Sequence, residues 1–278
     1  MDREYRDRSR SEAIKFEELD PIVGHLPKSA EENVSAQVKD YLWQTYGITL
    51  EDLVSAELSL VPAYPPRDIG FDRSLMAIYG QDDRLSAYAS LRSILAIDAP
   101  EYTAIAHLVD NEETGSVNNT GAASTWFFDL LGALIYREKG DAYREPHLKR
   151  ALAASKVISI DVNPGINPIW PSAFEAGNAP LLGHGINFKL YGRGFSANSE
   201  YIAWTRNYLD AAGVPWQTVT YKVNGGGGGT VGVFYSEQNM EVIDFGVPVL
   251  SIHTPYAVSS KSDVYWLSQA VTAFYKAN

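Results

Sequence analysis

Cysteine is absent from the 278 residues. Disulfides, thiolate zinc sites and cysteine nucleophiles are therefore excluded. Basic charge is scarce: 23 Lys and Arg stand against 34 Asp and Glu, for a net charge of −11. That balance lacks the clustered basic footprint of a nucleic-acid binder. No apolar run approaches the roughly 18 residues that would suggest a membrane span. The opening stretch MDREYRDRSRSEAIKFEELD has no apolar core and does not read as a secretory signal. These absences predict a cytoplasmic chain with no nucleic-acid or membrane partner. What is present is 45% hydrophobic and 21% charged residues, enough apolar surface for one large domain or two small ones.

Residues 1–15 are charge-dense and read as a mobile leader. Apolar residues at helical spacing predict a helix over 32–47, with Gly47 as its stop. Residues 52–66 turn strand-like and end in prolines. Downstream, helices are predicted over 84–97, 121–137, 199–213 and 259–277. Strands are predicted over 102–110, 185–192, 216–223 and 240–249, and 148–162 reads as a helix followed by a strand. This alternation from about residue 75 predicts an α/β domain with helices on both faces of its sheet.

Charged residues cluster where such folds collect ligands, at strand ends. Asp110, Glu112 and Glu113 follow the run IAHLV, Asp161 follows KVISI, and His253 follows VPVLSI. Asp82 and Asp83 stand just ahead of a helix. Several carboxylates with one imidazole suit a pair of divalent cations that activate water and polarise a carbonyl. Glu112 and Glu113 could divide the work, one as ligand and its neighbour as proton acceptor. The alternative stays open, because strand-end Asp and Glu also cap helices and form solvated turns. His107 lies inside a predicted strand and reads as a packed residue. The run GGGGGT lacks the Gly-Lys-Ser/Thr ending of a phosphate loop, so it either lets backbone approach a ligand or is a flexible loop.

Several stretches occur together and in order: FDRSLMAIYGQDDRLSAY, LVDNEETGSVNNTGAAS, ISIDVNP, GVPWQTVTYKVNGGGGGT and VIDFGVPVLSIHTPYAVSSKSDVY. In this combination the chain resembles the aspartyl aminopeptidase / aminopeptidase I family of dinuclear zinc exopeptidases, from about residue 20 to its end. The resemblance implies a three-layer α/β, phosphorylase/hydrolase-like zinc-peptidase domain with a mixed sheet. It further implies a domain truncated at its N-terminus, occupying 74–278. Before it, 16–73 would be a remnant of the family's inserted β-domain, which serves oligomerisation.

By the same resemblance Glu112 is the general base, Asp83 bridges the metals, and Glu113, Asp161 and His253 are the other metal ligands. Asn224, Gly226 and Gly227 would meet substrate. His25 in DPIVGHLPK resembles a histidine that reaches a neighbouring subunit's site. Two zinc ions per subunit are implied, together with a peptide substrate cut after an acidic or neutral N-terminal residue, and a homo-oligomer. Three departures stand out. The family's upstream His-x-Asp metal motif has no counterpart here. Pro164 and Asn167 stand where relatives carry other residues, and Asn224 stands where an acidic residue is usual. A site short of one imidazole could hold a single ion, so the alternative expectation is a catalytically impaired relative acting as a binding or assembly subunit. Missing strands would also leave a sheet edge open.

Overall fold

A computed structural model of the chain describes residues 15–27, 29–30, 33–192, 195–220 and 230–277. The leader up to residue 14 lies outside these residues. The chain divides into two compact units, Met1–Val61 and Pro62–Asn278. This boundary falls earlier than 73/74 because strand β1 (Arg67–Ile69) pairs with β2 (Leu75–Ile78) and so belongs to the second unit.

In the first unit, α1 (Val34–Tyr46) begins at Asn33, whose side chain accepts from the Ala36 N–H at 3.0 Å. It ends at Gly47, where φ is 69° and the N–H returns to the Trp43 carbonyl. The expected strand over 52–66 does not form. Thr49 and Asp52 cap each other reciprocally, and the helix α2 (Leu50–Val54) takes the start of that stretch. No strand is assigned between it and β1, and Pro62, Pro65 and Pro66 offer no N–H to a ladder.

The second unit continues with helices α3 (Gln81–Ile94), α4 (Trp126–Lys139) and α5 (Glu145–Ala153), then strands β3 (Lys156–Ile160), β4 (Asn163–Pro164), β5 (Ile186–Lys189), β6 (Tyr191–Gly192) and β7 (Phe195–Ser196). Next come α6 (Ser199–Ala211), β8 (Trp216–Val219), α7 (Gly232–Ser236), β9 (Glu241–Gly246), β10 (Pro248–Leu250), β11 (Ala257–Ser260) and α8 (Lys261–Lys276). The fold is mixed α/β, with two mixed sheets where one was expected. Their orders are β1-β2-β11-β10-β4 and β3-β9-β5-β8, beside a β6-β7 ribbon. Two neighbouring chain paths, β3 to β4 and β9 to β10, run parallel from one sheet into the other. Bonds from the Asp161 N–H to Phe245 O (3.0 Å) and from the Asn163 N–H to Val247 O (2.9 Å) hold them together across the break.

Phe188 and Phe245 are opposite one another on β5 and β9, fully buried and stacked at 6.0 Å. Each such ring contributes roughly 1.5–3 kcal/mol by its burial. On this face Arg206 of α6 lies over the Trp216 ring. The opposite face of β9 carries Val242 and Asp244, and α7 lies there. A Cβ on Gly232 would lie 3.0 Å from Asp244 Oδ1 and Val242 Cγ1, so any larger residue would have to push these side chains back.

Another expected strand is also absent. Residues 103–109 join no ladder; the first pairing in this region is the bridge between Asp110 and Gly121.

Gly185 closes the turn ahead of β5. Its φ is +88°, a Cβ would lie 2.1 Å from the Pro215 carbonyl oxygen, and its N–H donates to Asp263 Oδ1 at 2.9 Å. Gly185→Ala is expected to cost about 3 kcal/mol or more, combining left-handed strain with a clash against backbone. Thermal denaturation should show a drop of roughly 10 °C. A shift under about 2 °C would show that the turn relaxes freely.

Candidate metal centre

Four local structures bring the charged residues together. Asp82 and Asp83 head α3, where Asp82 has ψ of 106° and the peptide between them is cis. The left-handed Gly80 turns the chain from β2 into this corner. Glu112 and Glu113 lie in a single helical turn, Glu112–Thr114. That turn is clamped from below: the Asp110 N–H donates to Thr120 O at 3.0 Å and the Ser116 N–H to Asn111 O at 2.7 Å. Asp161 follows β3 at the break between the sheets, and its Oδ1 accepts from the Val162 N–H at 2.6 Å. His253 sits in the turn after β10 with φ of 60°.

Two groups of possible ligand atoms result, each with all its atoms within 4.8 Å of one another. One is Asp82, Glu113 and His253; the other is Asp82, Asp83 and Asp161. Asp82 is common to both. The family resemblance gives the shared position to Asp83; the residue common to both groups of possible ligand atoms is its neighbour Asp82. Adjacent aspartates point in different directions, and spacing alone does not separate them. His253 Nε2 lies 2.9 Å from Asp82 Oδ2 and 3.4 Å from Glu113 Oε1.

The electrostatics are those of an anion cluster short of cations. Burial first, then the Asp161 charge, raises Asp82 to about 6. Burial first, then the Asp161 charge and that of Glu113, raises Glu112 to about 7, against relief from Lys189. Asp83 is carried up furthest, chiefly by burial and then by its contact with Asp161. Asp83 Oδ1 is buried with no hydrogen-bond partner among the described residues. An orphaned buried carboxylate oxygen beside other carboxylates fits a site built for divalent metal.

Glu112, Asp83 and Asp161 line one end of a cleft of about 770 Å³ between residues 102–109 and β3. The base candidate therefore shares one opening with two of the ligand candidates, Asp83 and Asp161. His25 is exposed in the first unit, and Asn224, Gly226 and Gly227 lie outside the described residues. Neither Asp110 nor His107 belongs to either ligand group. His107 instead stacks on Phe127 at 4.2 Å and pairs with the Tyr235 hydroxyl at 2.8 Å. Sequence reasoning passed over Lys189, a buried lysine whose charge reaches Glu112 and Asp244. The available signal was a lone lysine inside the apolar run INFKLYG.

Comparison with known proteins gives the same frame. The family model for aminopeptidase I zinc metalloprotease (M18) matches residues 6–275. The probable M18 family aminopeptidase 1 of Clostridium acetobutylicum is 42% identical, over 98% of this chain and 60% of its own length. The corresponding protein of Thermotoga maritima is 40% identical, over 93% of this chain and 59% of its own length. The crystal structure of an M18 family aminopeptidase from Thermotoga maritima superposes with a TM-score of 0.91 at 37% identity, covering 98% of this chain and 62% of that one. The chain spans about three-fifths of the length of these relatives. The order of its carboxylate and histidine stretches, the mixed α/β fold and the matched length agree: this chain belongs to the aminopeptidase I zinc metalloprotease (M18) family.

Proposed function

We propose that this chain is the metal-binding part of a zinc aminopeptidase that removes acidic or neutral N-terminal residues from peptides. The observation that carries the reading is Asp82, whose carboxylate belongs to two ligand groups at once. Asp82 would hold two ions jointly, with Glu113 and His253 completing one position and Asp161 and Asp83 lying at the other. An imidazole among carboxylates suits zinc. Zinc bound there would supply Lewis-acid polarisation of the scissile carbonyl and a lowered pKa for the attacking water.

The protein's own groups do the rest. Glu112 lies in the cleft wall outside both ligand groups. Its carboxylate would accept the proton of the attacking water and return it to the departing amine. Partial burial around Glu112, with the neighbouring carboxylates, raises its proton affinity, which suits a proton acceptor. Residues Asn224, Gly226 and Gly227 would meet the peptide, and His25 would serve a neighbouring subunit in a homo-oligomer. A relative of the same fold is described as a dodecamer.

The test uses the purified chain, stripped of metal and then supplied with zinc or cobalt. A panel of aminoacyl-naphthylamides should be hydrolysed only with metal, and N-acetylated versions should not be hydrolysed. Bound metal is counted in parallel by equilibrium dialysis. Two ions bound without any metal-dependent hydrolysis would move this chain to the binding or assembly reading. No bound metal at all would remove both the centre and the activity.

A further inference from the structure

Asp161 is aimed by its backbone. Its Oδ1 accepts from the N–H of the next residue, Val162, at 2.6 Å, so the direction of the carboxylate follows the chain at 161–162. The side chain also meets Asp82 and Asp83, and without a cation these like charges repel it. Residues 161 and 162 lie between β3 and β4, at the break between the two sheets. Whatever fixes the chain at that break therefore fixes a ligand candidate.

Two residues beyond Asp161, the side chain of Asn163 turns inward. Its Nδ2 donates to Asn187 Oδ1 of β5 at 2.6 Å, and both residues are fully buried. Asn187 stands opposite Gly246 in the β5–β9 register. A Cβ on Gly246 would overlap both the Asn163 amide nitrogen and the Asp161 carbonyl oxygen. The missing side chain of one glycine thus admits the Asn163 amide and the Asp161 backbone together, and the amide bond passes over it. Stability does not account for this pair. Two buried amides gain little over apolar groups of the same shape, because each gives up water to meet the other. Asn187 Nδ2 also has no hydrogen-bond partner among the described residues, a further cost. What a hydrogen bond adds to apolar contact is direction.

We propose that Asn163 and Asn187 are positioning residues for the metal centre. Their bond, seated over Gly246, holds the chain at 161–163 so that the Asp161 carboxylate meets those of Asp82 and Asp83. Both amides are sealed from solvent, so they act through Asp161 and not on substrate. The backbone bonds from Asp161 to Phe245 and from Asn163 to Val247 fix where the chain runs. The amide pair fixes how it is turned about that path. The inference rests on the metal centre proposed above and adds the device that aims one of its ligands.

The test separates stability from metal binding in the full chain. Asn163→Leu and Asn187→Leu, made together, exchange the two amides for apolar groups of nearly the same shape, so neither amide is stranded. This double variant should melt within about 5 °C of wild type. Zinc titration by equilibrium dialysis should show one position unchanged and the other weakened by about tenfold or more, the loss typical of removing a ligand's outer partner. The weakened position should be the one that Asp161→Asn weakens. Adding Asp161→Asn to the double variant should cost no more affinity than Asp161→Asn alone, because the pair acts through that carboxylate. If the double variant does not fold, Asn187→Ser, too short to reach Asn163, takes its place with the same expected pattern. Wild-type affinity at both positions in the folded variant would overturn the inference. So would an equal loss at both positions, a loss that adds in full to that of Asp161→Asn, or failure of both variants to fold, which would assign the pair to stability. A wild-type chain that binds no zinc would remove the metal centre itself, and this inference with it.

Discussion

Asp82→Asn is expected to empty the centre of zinc, taking bound metal from two ions per chain to none. Its carboxylate is the atom pair that both ligand groups share. Removing it leaves Glu113 and His253 at one position, and Asp83 and Asp161 at the other. Each position loses a ligand and a negative charge together. Loss of an outer partner alone costs about 10–100-fold in metal affinity, so loss of a shared ligand should exceed about 100-fold at both positions. Asp161→Asn should weaken one position and spare the other. Equilibrium dialysis with elemental analysis separates these patterns. If Asp83→Asn empties both positions and Asp82→Asn does not, the shared ligand is Asp83 and the geometric assignment is wrong.

Glu112→Gln should leave zinc binding within about twofold and lower turnover by roughly 10²–10⁴-fold, the range for loss of a positioned proton acceptor. The amide keeps the shape of the side chain but cannot take the proton. The pH profile carries its own sign. Burial and neighbouring carboxylates hold Glu112 at about 7 without metal. Bound cations favour its ionised form, so activity should rise with pH through a limb lying below about 7, and this limb should vanish in the variant. The same charges govern stability. Glu112 and Asp82 hold their protons above the ordinary side-chain values of 4.5 and 3.8. Between those values and about 7 the folded, metal-free chain binds more protons than the unfolded one. Its stability should therefore fall as pH rises through that window, and zinc should restore it. Melting curves at both ends of the window, with and without zinc, check the direction. A Glu112→Gln chain that retains full turnover would assign the proton transfer elsewhere.

The first helix, its glycine stop and the alternation after residue 75 were legible because their signals are local: apolar spacing, a capping side chain and a left-handed glycine. The same was true of the approximate composition of the centre, since strand ends in an α/β chain converge on one side. The stretch 52–66 misled because Thr49 and Asp52 form a capping box whose energy outweighs the β-like pattern beyond it. The stretch 102–110 has the apolar pattern of a strand, yet residues 103–109 join no ladder. Strand character is completed by a neighbour, and no described residue supplies that neighbour.

Local chemistry along the chain was therefore enough to set the fold class, the places of the long helices and which residue types gather at the centre. Three-dimensional packing alone decided that Asp82 rather than Asp83 belongs to both groups of possible ligand atoms, and that Lys189 lies within electrostatic reach of Glu112. It alone also decided that two chain paths cross between two sheets, and that a cleft of about 770 Å³ stands open beside β3. Each of these depends on the direction a side chain or a backbone amide takes relative to residues tens of positions away. Nearest-neighbour propensities carry no information about that direction.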